Sequence, residues 1–203
     1  MDIRDLYGDK CQKSLSPTAE RLESFLKDCL VGIPRIDRVS VRVKSLERFV
    51  AKAEKINVEG DKKYSNPLSQ IQDQIGARII CFYLEDIEVV SATIQSYFNN
   101  IENRTVEPNS VSKFGYFGKH FILHYPDEVV DCLHPPEPGV FELQIKTLFQ
   151  HAWSEAEHDL CYKPSVEVPA DVQRKIAFTA AQAWGADKIF SELFLRLQAA
   201  NDA

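Results

Sequence analysis

A domain that mixes strands with helices, in one α/β or α+β layer arrangement on a sheet of about four or five strands, is what this sequence predicts. Three observations carry that expectation. The 203 residues, 44% of them hydrophobic, suffice for one domain with a sizeable core. Segments of period two, such as RVSVRVKS at residues 38–45, alternate with segments of helical period. The run IGARIICFY at residues 75–83 is β-branched and nearly continuous, as suits a central strand covered on both faces.

In chain order, Ser16-Pro17 reads as an N-cap followed by proline at the first helical position, with Leu22, Phe25, Leu26 and Cys29 at helical spacing. Gly32 and Pro34 end that helix. In the strand at 38–45, Val39, Val41 and Val43 point one way while Ser40, Arg42 and Lys44 point the other. A charged helix through about Lys55, a polar loop (INVEGDKKYSNP) and the central strand follow, then a crossover helix at 85–100 carrying Ile87, Val90, Ile94 and Phe98. Two alternating strands come next, Lys119 to Tyr125 and Phe141 to Thr147. The segment between them, PDEVVDCLHPPEPG, holds four of the ten prolines and reads as a hairpin loop or surface excursion. Residues 148–163 are helical in pattern, Pro164 and Pro169 interrupt, and Ala170 to Ala200 is a long Ala-rich amphipathic helix. Its first half is expected to pack back on the domain and its second half to self-associate.

Lys+Arg 24 against Asp+Glu 30 leaves a net charge of −6, so the whole chain presents no broad footprint for duplex nucleic acid. It contains no apolar run of about 18 residues, and MDIRDLYGDK is too polar for a secretory segment, so a cytoplasmic protein is expected. Five cysteines without CxxC spacing indicate free thiols. Locally the balance reverses: Arg35 to Lys63 holds nine basic residues against five acidic, the contrast a polyphosphate site needs. A P-loop is absent, because around Gly118-Lys119 the first glycine position is Lys113 and the Ser/Thr position is His120.

Three strands each offer a polar face: Arg42/Lys44, His120, and Glu142/Gln144/Lys146. If those faces coincide, they line a cleft. Asp73, just before the central strand, and Glu142 are the candidate carboxylates for a hard cation such as Mg²⁺ bound together with substrate phosphates. His151 and His158, with Glu155 between them, have helical spacing but neither HExxH nor a cysteine partner, and are not taken as ligands.

Three ordered blocks resemble the synthetase domain of RelA/SpoT-type (p)ppGpp synthetases. Asp73 through Ile79 (DQIGARI) is similar to the family's D-x-x-G-x-R-I strand entry. Gly115-Tyr116-Phe117-Gly118-Lys119-His120 matches G-Y-x-S-x-H except at the serine. The longest block runs from Glu142-Leu143-Gln144-Ile145-Lys146-Thr147 through His151-Ala152-Trp153 to Glu157-His158-Asp159-Leu160 and Tyr162-Lys163. Upstream, Arg42-Val43-Lys44-Ser45 looks like the family's R-x-K-S.

The resemblance implies an α+β fold, a mixed sheet of about five strands flanked by helices in a nucleotidyltransferase-like synthetase domain. It divides the chain into an N-terminal helical segment (1–34), the synthetase domain (35–165) and a C-terminal helix (166–203). The chain is too short for the family's hydrolase and regulatory domains and looks like a stand-alone small alarmone synthetase, a type often homo-oligomeric. The implied reaction transfers the β,γ-diphosphate of ATP to the ribose 3′-OH of GDP or GTP. Asp73 and Glu142 would hold Mg²⁺, and Glu142 would also accept the 3′-OH proton. Arg42 and Arg78 would stack on adenine, while Lys44 and Lys52 neutralise phosphates. Tyr116 would stack on the acceptor base, and His120, Gln144 and Lys113 would bind the acceptor. Gly118, Phe117, Lys146 and Arg48 depart from the family pattern; the glycine loosens the loop carrying Tyr116 and opens the identity of the acceptor. The alternatives are a toxin-type relative that modifies the tRNA 3′ end or an adenosine nucleotide, and a silent nucleotide-binding regulator.

Overall fold

The computed structural model describes residues 2–106, 114–115, 117–161 and 168–201. Tyr162, Lys163 and Pro164 lie outside the described residues. The fold is α+β, and five strands form one mixed sheet: β1 (Ile36–Val43), β2 (Ile75–Cys81), β3 (Asn100–Val106), β4 (Gly118–His124) and β5 (Val140–Thr147), in the order β1-β2-β5-β4-β3. β2 and β5 run parallel; the other neighbours are antiparallel. The polar loop contains one isolated bridge, Ile56 to Lys62.

One face of this sheet is apolar. Ile75, Ala77 and Ile79 of β2, Phe121 and Leu123 of β4, and Phe141, Leu143 and Ile145 of β5 join one buried core with Leu22 and Leu26 of α2 (Ser16–Cys29). Ile87, Val90 and Ile94 of α5 (Leu84–Tyr97) complete it. Each fully buried side chain of this size contributes about 1.5–3 kcal/mol by leaving water. The opposite face carries Arg42, Arg78, Glu142, Gln144 and His120, because residues on alternate positions of each strand turn to it. The central run is thus covered by helices on one side, while its arginine faces the polar side; Arg78 is the residue that the near-continuous apolar pattern conceals.

Several expectations need correction. Ser16 is not an N-cap: its backbone is right-handed helical, and α1 (Ile3–Lys10) runs through a π-helical turn, Cys11–Leu15, into α2. Pro17 is accommodated at the start of α2, where the widened turn precedes it. Ser45, placed in the strand by periodicity, caps α3 (Leu46–Ala53), its hydroxyl accepting from the Arg48 N–H at 3.4 Å. Between these elements Gly32 has φ 85° and Arg35, a rare non-glycine, φ 59°. The Arg35 guanidinium is held by Asp86 at 2.7 Å and lies 4.5 Å from the Phe194 ring centroid, so this member of the basic segment is structural.

α6 (Leu148–Cys161) follows β5 without a break, and α7 (Ala170–Asn201) packs along it. The second half of α7 is not free as expected. Asp187 accepts from the Thr147 hydroxyl at 2.9 Å, Ser191 accepts from the Leu84 N–H, and Phe194 stacks on Tyr83. Its outer edge, with Ile189, Leu193 and Leu197, remains exposed. No described helix is long and apolar enough to cross a membrane.

Candidate active site

The strand register brings the three polar faces together. Ser40, Arg78, Gln144, His120 and Arg104 lie side by side across β1, β2, β5, β4 and β3. One step along, Arg42 pairs with Gly76 and Gly76 with Glu142, so the glycine leaves the space between arginine and carboxylate open. Two adjoining cavities of about 520 and 620 Å³ share Arg42, Lys44, Arg48, Asp73, Arg78, Glu142 and Gln144 in their walls and form one cleft. The larger is lined by seven Lys and Arg side chains against four carboxylates. In a chain of net charge −6 this concentration of cations marks the place for a polyanion.

Asp73 stands in a 3₁₀ turn, Gln72–Gln74, between the one-turn helix α4 (Pro67–Gln70) and β2. Buried Gln74 pins the turn by donating to the carbonyls of Leu68 and Ile71, and its own carbonyl accepts from the Lys44 N–H at 2.8 Å. Asp73 Oδ2 receives both Lys44 at 3.0 Å and Lys52 of α3 at 2.9 Å. Burial pushes its pKa up, but the two ammonium groups outweigh burial and hold it below the usual range. Oδ1 is buried and has no hydrogen-bond partner among the described residues.

Glu142 is oriented by two partners: His120 Nδ1 lies 3.0 Å from Oε1, and Gln144 Nε2 donates to Oε2 at 3.1 Å. Burial raises its pKa, the His120 contact more than offsets this, and the negative charge of Asp73 opposes ionisation. The two carboxylates therefore lie within electrostatic reach in one cleft. Among the described residues no group of three or more His, Cys, Asp or Glu side chains could hold a metal by itself. A pair of carboxylates with one unsatisfied buried oxygen fits a cation whose remaining ligands are phosphate oxygens and water.

α6 forms a wall of the cleft. Arg78 reaches Glu155 at 2.8 Å and lies 3.4 Å from His151 Nδ1, so two of the three α6 residues with metal-like spacing serve an arginine instead. Lys146 donates to Ser154 of the same helix at 3.0 Å. Arg42 and Arg78 are diagonal neighbours on β1 and β2. Loss of solvent, and then the guanidiniums of Arg78 and Arg48, weaken the hold of Arg42 on its proton. Of the residues singled out in the sequence, Asp73, Glu142, Arg42, Lys44, Lys52, Arg78, His120 and Gln144 converge on this cleft. Tyr116 and Lys113 lie outside the described residues. Ser154 and Glu155 were not anticipated as site residues; their signal was spacing of three and four along one helix face from His151.

A family model for the region found in RelA / SpoT proteins matches residues 41–167, more than half of the chain. The chain belongs to the RelA/SpoT family. It is similar to the GTP pyrophosphokinase YjbM of Bacillus subtilis (strain 168), 28% identical over 173 residues that cover 83% of this chain and 76% of that protein. A second relative, the GTP pyrophosphokinase YwaC of the same organism, is 29% identical over 140 residues, 66% of this chain and 62% of that protein. Among solved structures, the small alarmone synthetase 1 from Bacillus subtilis superposes with a TM-score of 0.74 at 26% identity, over 91% of this chain and 96% of that one. The RelA/SpoT match begins near the end of β1 and runs past the end of α6, so it contains β2 to β5 and both carboxylates of the cleft. α1, α2 and α7 lie outside it.

Proposed function

We propose that this chain is an ATP-dependent pyrophosphokinase that makes (p)ppGpp from GDP or GTP, using the cleft between α3 and α6. The observation that carries the reading is the meeting of Asp73 and Glu142, 69 residues apart in the chain, in one cation-rich cleft. Membership of the RelA/SpoT family and the names of the two pyrophosphokinase relatives support it.

In this reading Arg42 and Arg78 take the two sides of adenine, and Lys44 and Lys52 neutralise the ATP phosphates. Asp73 and Glu142 are the residues that would hold Mg²⁺, which supplies further neutralisation of phosphate charge. The acceptor base stacks on Tyr116, with Lys113, His120 and Gln144 on its sugar and phosphates. Glu142, aligned by His120 and Gln144, takes the proton of the 3′-OH. The freed oxygen attacks the β-phosphorus of ATP. The bond from that phosphorus to the oxygen bridging to the α-phosphate breaks, and AMP leaves with the electron pair. Most of the rate comes from positioning and charge stabilisation, as expected for phosphoryl chemistry. The same reading assigns the enzyme to the cytoplasm, where ATP and guanine nucleotides are available.

The test is incubation with Mg²⁺ and γ-labelled ATP in the presence of GDP, GTP, ADP or deacylated tRNA. Label on GDP or GTP is expected. Label on tRNA or ADP alone would select the toxin-type reading, and no transfer to any acceptor would leave a nucleotide-binding regulator. Asp73→Asn and Glu142→Gln should each abolish transfer without unfolding the protein, as circular dichroism checks; turnover retained in either variant would count against the assignment.

A further inference from the structure

A second cavity, of about 440 Å³, has Gly115 and Phe117 in its wall and shares no described lining residue with the cleft. Its walls come from the start of α5, from α6 and from α7. Two carboxylates line it with an oxygen unsatisfied among the described residues: Asp187 Oδ1 and Glu85 Oε2 are both buried without a hydrogen-bond partner. Asp187 is only 3% exposed. Leaving such oxygens unpaired in a folded protein is costly, and burial pushes Asp187 up to about 6. Three aromatic side chains share the wall. Trp153 has its indole N–H engaged with the Thr179 hydroxyl at 3.1 Å, so what it offers a ligand is its ring. Trp184 and Phe117 add two more rings.

We propose that this cavity is a second ligand site, for a compact organic cation bearing a planar N–H donor group of the guanidinium or amidinium type. Carboxylate oxygens lacking donors call for N–H groups, and aromatic rings beside them favour positive charge. A nucleotide is disfavoured, because its phosphates would meet Glu85, Glu88 and Asp187. Of the two lysines in the wall among the described residues, Lys188 is exposed and Lys119 is already paired with Glu88 at 2.8 Å. The volume falls within the usual range for small-molecule pockets. This inference does not depend on the proposed function.

The chain has two tryptophans, and both line this cavity, so its intrinsic fluorescence reports on the site directly. Agmatine is the probe. A saturable fluorescence change is expected with agmatine and not with sodium chloride at equal ionic strength. Asp187→Asn should weaken that binding at least about tenfold, the worth of one charge-assisted hydrogen bond. Glu85→Gln, near the start of α5, should do the same and serves as the independent variant if the buried substitution impairs folding. No saturable change with agmatine, or equal affinity in wild type and Glu85→Gln, would overturn the assignment.

Discussion

Lys146 is the side chain in the cleft whose charge is most precarious. It is 2% exposed, and burial first, then Arg78, press its ammonium down to about 7. Below that pH it adds a positive charge to the cleft; above it the charge is lost. A bound polyphosphate favours the protonated form, so ATP affinity should fall as pH rises above about 7. Lys146→Arg keeps its charge throughout and should flatten that dependence. Titrating ATP by calorimetry at several pH values checks this, and superimposable profiles for the two proteins would refute the role.

At the scale of elements, α1 acts as a brace for the side of the cleft that carries Lys44 and Lys52, although it lies outside the family match. Tyr7 is fully buried, stacks on Phe49 of α3 at 3.7 Å between ring centroids, and donates its hydroxyl to the Lys44 carbonyl at 2.8 Å. It thereby holds both the strand end bearing Lys44 and the helix bearing Lys52. Tyr7→Phe keeps the ring and loses the hydrogen bond, a change of about 1 kcal/mol. Its KM for ATP should rise by several-fold while that for the guanine nucleotide stays level; equal changes in both would assign Tyr7 to general stability.

α1 falls in the N-terminal segment expected to be helical, but IRDLYGDK is too short and polar for periodicity to single it out; buried Tyr7, partly buried Ile3 and the Lys10 ammonium on the Leu68 carbonyl anchor it. β3 was missed for a related reason: NIENRTV is an edge strand, almost wholly exposed, with no buried face to impose an alternating pattern. The strands β1, β2, β4 and β5 were legible because each buries one side. Asp73 and Glu142 could be read as chemistry-bearing residues, but their meeting follows from the β2–β5 register, which no local pattern encodes. The use of His151 and Glu155 as partners of Arg78 was equally hidden, since spacing alone cannot tell an arginine clamp from a metal site.

For the molecule as a whole, α7 presents Ile189, Leu193 and Leu197 at four-residue intervals along its exposed edge. We expect this stripe to meet a second copy of the chain. The inner edge of the same helix holds Thr147, Leu84 and Tyr83, so truncating it would damage the domain itself. Replacing Leu193 and Leu197 by glutamate addresses the outer edge alone. Light scattering should then give a smaller mass with an unchanged circular dichroism spectrum. A monomeric mass for the wild type would remove the idea.

The single parallel pairing, β2 with β5, has a kinetic corollary. No short hairpin can bring these strands together; the intervening α5, β3 and β4 must be gathered before Gly76 can lie beside Glu142. A nascent or half-refolded chain therefore holds helices and local hairpins but no place for chemistry, because contacts of such high sequence separation form late. Competence should arrive all at once. After dilution from urea, helical ellipticity should recover ahead of transferase activity, with activity following the slowest folding step. A cell would then gain alarmone synthesis only from molecules that have finished folding, without any separate safeguard against premature turnover.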